Sequence, residues 1–126
     1  MTMTIKDISE QTDVSIDTLR YYERIGLIDP VERAPNGHRR YGEKDLLRVN
    51  FIKRLRATGM SISEMQHYVN LFRDGDSTIT ERRLILEAHK AVIQHQIDAL
   101  YETIDFIDTK IERYIAQENE LERETT

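Results

Sequence analysis

The chain of 126 residues contains no cysteine. That absence removes disulfides, thiolate zinc sites, iron–sulfur clusters and thiol redox switches, and it suits a reducing compartment. No apolar run approaches the roughly 20 residues a bilayer-spanning helix needs, and Met1 to Ile5 is too polar for a secretion signal. A cytoplasmic protein with no membrane partner is therefore expected. Missing too are a Gly-rich phosphate loop, a nucleophile motif and a metal-spaced cluster of histidines and acids, which argues against an enzyme and against any cofactor. Of the histidines His38, His67, His89 and His95, the last two are six apart, about 240° around a helix, so one helix cannot aim both at one metal ion.

What is present points to a folded chain. Charged residues make up 33% and mean hydropathy is −0.59, yet Leu, Ile and Val recur at regular spacing instead of thinning out as in a disordered segment. The net charge of −5 conceals an uneven distribution. Residues 1–75 hold 12 Lys and Arg against 11 Asp and Glu, whereas residues 76–126 hold 6 against 12. Between Arg33 and Arg56 eight basic residues face only Glu43 and Asp45. A local basic stripe on an acidic chain can grip phosphates while the remaining surface discourages indiscriminate binding. This length suits one compact domain with an appended element, and the expected division is a head over 1–75 and a pairing helix with a short tail over 76–126.

Helix starts are well marked. Thr4 with Asp7 opens a short helix carrying Ile5 and Ile8, and Ser15 caps a second carrying Ile16 and Leu19, which stops at Gly26. Only Asp13 and Val14 lie between them, the tight connection of a helix-turn-helix. From Leu27 to Tyr41 the periodicity breaks, and Pro35-Asn36-Gly37 favours a turn, so a small hairpin or wing is expected. Gly42 and Asp45 precede Leu46, Val49, Ile52 and Leu55 on a third helix ended by Gly59. Ser61 with Glu64 caps a fourth, bearing Ile62, Met65, Val69 and Phe72 up to Gly75, and Thr78 with Glu81 forms another capping-box pattern.

From Thr80 onward there is no Gly or Pro. A heptad register places Leu86, Ile93, Leu100 and Ile107 at d and Ile97, Ile104 and Ile111 at a, a coiled-coil seam. A helix from Thr80 to Tyr114 would run about 52 Å, more than a small head can cover, so the stripe requires another copy of the chain. A homodimer follows, with Leu86, Ile93, Ile97, Leu100, Ile104, Ile107 and Ile111 as its interface. The fold class expected is mainly α: a winged helix-turn-helix head followed by a long C-terminal dimerisation helix.

Within the second helix, Ile16, Leu19 and Glu23 share one side while Asp17, Tyr21 and Arg24 lie opposite, with Thr18 and Arg20 on the flanks. Outward Arg, Thr and Tyr suit the major groove, where Arg reads guanine and hydroxyls meet phosphates; Tyr22 fits either this surface or the core. The stretch Gly37-His38-Arg39-Arg40-Tyr41 sets two guanidiniums and a phenol just past a tight turn, suited to the backbone or a minor groove. The block Thr18-Leu19-Arg20-Tyr21-Tyr22-Glu23-Arg24-Ile25-Gly26-Leu27-Ile28, followed by Arg39-Arg40-Tyr41, Asp45-Leu46 and the run Phe51 to Ile62, resembles the winged-helix heads of the MerR family of transcription regulators, over residues 4 to about 75.

That resemblance implies a dimer, paired through an antiparallel coiled coil, that binds a pseudo-palindromic operator in double-stranded promoter DNA and bends and untwists it for RNA polymerase. Carried over by position, Val14, Ser15, Thr18, Arg20, Tyr21 and Tyr22 would touch DNA from the helix-turn-helix, Arg39, Arg40 and Tyr41 from the wing, and Lys53 and Arg56 at phosphates. Metal- and thiol-sensing relatives use cysteines that this chain lacks, so thiolate sensing is excluded and any small-molecule effector is unknown. The second reading is an architectural DNA-bending or coiled-coil interaction protein without an inducer.

Overall fold

The computed structural model describes residues 3–30, 35–37 and 40–125. Among the described residues five α-helices follow one another: α1 (Ile5–Thr12), α2 (Ile16–Arg24), α3 (Glu43–Ala57), α4 (Ile62–Asp74) and α5 (Ile79–Thr125), with a 3-10 turn at Asp76–Thr78 before the last. Strand structure among the described residues is limited to one antiparallel bridge, in which Met3 and Tyr41 exchange two backbone hydrogen bonds of 2.7 Å. The turn at Pro35–Gly37 is described, but the flanks expected to form the wing, residues 31–34 and 38–39, lie outside the described residues.

The caps form where side-chain chemistry favours them. Thr4 and Asp7 bond reciprocally, a complete capping box. The Ser15 hydroxyl accepts from the Thr18 amide and that of Ser61 from the Glu64 amide, each at 3.1 Å. The Thr78 pattern behaves differently. Its hydroxyl donates to the carbonyls of Leu71 and Gly75 and accepts from Arg82 Nε, so it ties the end of α4 to the start of α5 where a cap had been expected.

Two compact units result, Met1–Ile85 and Leu86–Thr126. The first two turns of α5 belong to the head, later than the expected break after Gly75, because Arg82 reaches back to the Gly75 carbonyl and lies 5.2 Å over the Phe72 ring. The core of the head is Ile8, Leu19, Leu27, Ile28, Val49, Ile52 and Met65, all essentially inaccessible. Leu71 is buried beside Val69, whereas Phe72, expected inward by spacing, is half exposed beneath the Arg48 and Arg82 guanidiniums. In the second unit the helix continues to Thr125, eleven residues beyond the expected Tyr114; at 1.5 Å per residue the 47-residue α5 measures about 70 Å.

Candidate nucleic-acid interface

The turn between α1 and α2 is built around one short side chain. Thr12 Oγ1 donates to the Ile8 carbonyl at 2.7 Å and accepts from the Val14 amide at 3.3 Å, so a buried hydroxyl satisfies both sides of the turn. Asp13 takes the left-handed conformation (φ 59°) that closes α1, a conformation Asp tolerates better than most non-glycine residues. From α3, Lys53 Nζ donates to the Thr12 carbonyl at 2.6 Å, a cation at the carbonyl end of a helix, where the dipole favours it. At the far end of α2, Gly26 turns the chain with φ 83°, and Gln66 Nε2 from α4 donates to the Ile25 carbonyl at 2.9 Å. The turn before α2 and the residue that follows it are thereby held by other helices.

This anchoring sorts the residues of α2. Leu19 and Tyr22 face the core, Tyr22 being 6% exposed; Asp17, Arg20, Tyr21 and Arg24 are exposed. The Arg24 guanidinium lies 5.4 Å over the Tyr21 ring, a cation–π pair on the outer face. Ser15 and Thr18 join hydroxyls at 2.8 Å at the N-terminal end of the same helix. The outer face thus carries a stacked Arg–Tyr pair, a separate arginine and two hydroxyls on a rigid helix, the donor set that base edges and phosphates accept.

The remaining sequence-derived positions separate. Val14 is buried in the turn, and Tyr41, 1% exposed, is a core ring next to the Met3 bridge. Arg40 and Arg56 are exposed. Arg39 lies outside the described residues. The Lys53 ammonium is held by the Thr12 carbonyl, which gives this residue a positioning role in the turn. Arg24 was not among the DNA contacts read from sequence, although helical spacing already set it beside Tyr21. Leu86 and Ile93 are half-buried, and Ile97, Leu100, Ile104, Ile107 and Ile111 are exposed, as are Tyr114 and Leu121 further along the same register. Among the described residues no three His, Asp or Glu side chains gather as a metal would require, and no helix is long and apolar enough to cross a membrane.

Two short capped helices joined by a locked turn, the second bearing an outward arginine and tyrosine face, define a helix-turn-helix head of the DNA-binding regulator class. Residues 3–71 match the family model described as MerR HTH family regulatory protein, and residues 46–110 match a second described as MerR, DNA binding. The chain belongs to the MerR family of transcription regulators. It is 44% identical over 84 residues to the HTH-type transcriptional regulator AdhR of Bacillus subtilis, a match that spans 67% of this chain and 60% of AdhR. A crystal structure of a Listeria monocytogenes protein assigned to the MerR family of transcriptional regulators superposes with a TM-score of 0.86 at 39% identity, covering 95% of this chain and 94% of that one. HiNmlR, described as a MerR family regulator lacking the sensor domain and bound to promoter DNA, superposes with a TM-score of 0.82 at 32% identity over 90% of both chains.

Proposed function

We propose that two copies of this chain pair along the distal part of α5 and present their α2 helices to a pseudo-palindromic operator in promoter DNA, which they bend and untwist to control transcription. Two-fold readers of this kind set their recognition helices about 34 Å apart along the duplex. Arg20, Tyr21 and Arg24 are the groove-facing residues of α2, with Ser15 and Thr18 at its N-terminal end and Arg40 and Arg56 at phosphates; Arg39 joins them. Tyr22, Tyr41 and Val14 serve the same surface from within, by holding α2 and the turn in place. RNA polymerase engages the reshaped promoter, and the regulator acts in the cytoplasm without catalysing a reaction.

The observation that carries this reading is the outer face of α2, where the Arg24–Tyr21 pair and Arg20 stand exposed over buried Leu19 and Tyr22. The solved promoter complex of HiNmlR supports the class of ligand. The test is a mobility shift on the upstream DNA of the chain's own gene, followed by transcription in vitro on the same fragment. A shifted band with two chains per duplex and altered transcription is expected; no retention even at low ionic strength would overturn the proposal, since phosphate contacts strengthen there. Bending without any change in transcription would favour an architectural role.

A further inference from the structure

The segment that follows α2 is gripped by α4 at two points. Gln66 Nε2 donates to the Ile25 carbonyl at 2.9 Å, at the residue where α2 ends. Two helical turns further along α4, Arg73 Nε and Nη2 lie 2.9 and 2.7 Å from Asp29 Oδ1. Residues seven apart share one face of a helix, so a single stripe of α4 takes hold of a backbone carbonyl and a side-chain carboxylate in the same short segment. The remaining nitrogen of the guanidinium is steered from its own helix, Arg73 Nη1 donating to Asn70 Oδ1 at 3.4 Å. A Cβ placed on Gly26 would meet that nitrogen at 3.9 Å, so Arg73 lies over the turn that closes α2.

Between the two grips, Leu27 and Ile28 are buried, and their amides both donate to the Tyr22 carbonyl, at 2.9 and 3.3 Å. Asp29 is the first exposed residue after α2. From it the sequence runs through Pro30 to Arg39 and Arg40, and at the far end Tyr41 is fixed by its two backbone hydrogen bonds with Met3. The stretch that carries these cations therefore starts from one anchor and ends at another. The anchor at Tyr41 is made of backbone; the anchor at Asp29 is an ion pair whose side chains are 35% (Arg73) and 59% (Asp29) exposed.

We propose that Arg73 is a positioning residue for operator reading: by holding Asp29 it fixes the start of the stretch 30–40, and with it the placing of Arg39 and Arg40 against the outer face of α2. It does so without touching DNA. The inference rests on the DNA-reading role proposed above and concerns how two groups of contacts are kept in register. An exposed ion pair shifts an equilibrium by at most about fivefold, so the anchor tunes affinity and does not switch it on or off.

The test compares the full-length chain with Arg73→Gln, Arg73→Lys and the charge-swapped pair Asp29→Arg with Arg73→Asp. Limited trypsin digestion, with cleavage after Arg33 and Arg39 followed by mass, reads the freedom of the stretch with no DNA present, because cleavage that is slow relative to reclosing tracks the population of the open form. Arg73→Gln should be cut there about threefold to fivefold faster, Arg73→Lys less so, and the swapped pair at close to the wild-type rate. Helical content and dimerisation should be the same in every variant. On the operator, Arg73→Gln should lose a similar factor in affinity with an unchanged dependence on salt, since loss of a residue that contacts phosphate directly would lower the slope by about one. An unaltered cleavage rate, a swapped pair cut as fast as Arg73→Gln, or a flattened salt slope overturns the proposal. A wild-type chain that ignores the operator overturns the function itself, and the cleavage rates tell that failure apart from a failure of the Asp29–Arg73 anchor.

Discussion

In the head, Ile8, Leu19 and Met65 are fully buried, whereas on the distal part of α5 Leu100 is 64% exposed and Ile104 51%. The same residue types therefore meet opposite fates within one chain. The difference lies in what each unit can supply to itself. The head brings four helices and the start of a fifth around a shared interior, closes its turns with Thr12, Lys53 and Gln66, and completes its own burial. Beyond Leu86 a single helix has no second layer, and an isolated amphipathic helix gains little stability from propensity alone. A unit that shields its apolar residues internally is a module; one that displays them at heptad spacing has the pattern that pairing would cover.

The sharpest way to break that contrast is Ile104→Asp. A carboxylate in each copy of a dry seam costs the pairing about 3 to 5 kcal/mol, so sedimentation equilibrium should find monomers whose distal helix has melted while the head still unfolds cooperatively. Intact dimers would show that the exposed stripe is not the seam. Leu19→Ala attacks the other side of the comparison. Removing a fully buried leucine costs about 2 to 5 kcal/mol, which should lower the melting temperature of the head and leave self-association untouched.

A smaller effect separates surface from scaffold within the head. Arg20→Ala should weaken operator binding by about 1 to 3 kcal/mol in a mobility shift at physiological salt, with unchanged melting temperature and dimerisation. Equal affinity would remove α2 from the reading face. The least expected change is for Ser61→Ala, which deletes the cap of α4 at an exposed site and should cost the head about 1 kcal/mol in chemical denaturation, with operator affinity per folded dimer unaltered.

Local chemistry made much of this architecture legible. Thr4, Ser15 and Ser61 announce their helices because a hydroxyl satisfying a free amide needs only neighbouring residues, and the heptads of α5 reveal themselves by repetition. Where several long-range partners compete for one side chain, the sequence is mute. Thr78 reads as a cap, but the end of α4 lies within its reach and claims the hydroxyl. Phe72 reads as a core residue by spacing, but two guanidiniums cover its ring and Leu71 turns inward instead. The candidate site shows the same divide. Arg20 and Tyr21 emerge outward from helical periodicity alone. The burial of Tyr22 and Tyr41 is set by tertiary packing, Tyr41 lying beside the Met3 bridge, and the tethering of Lys53 by a carbonyl 41 residues away.

That tether has a mechanical consequence. One ammonium on α3 grips the last carbonyl of α1, and the hydroxyl of the same threonine secures the Val14 amide, so the turn before α2 is braced like a strut from the neighbouring helix. A displacement of α3 at Lys53 is therefore felt directly at the turn that leads into α2.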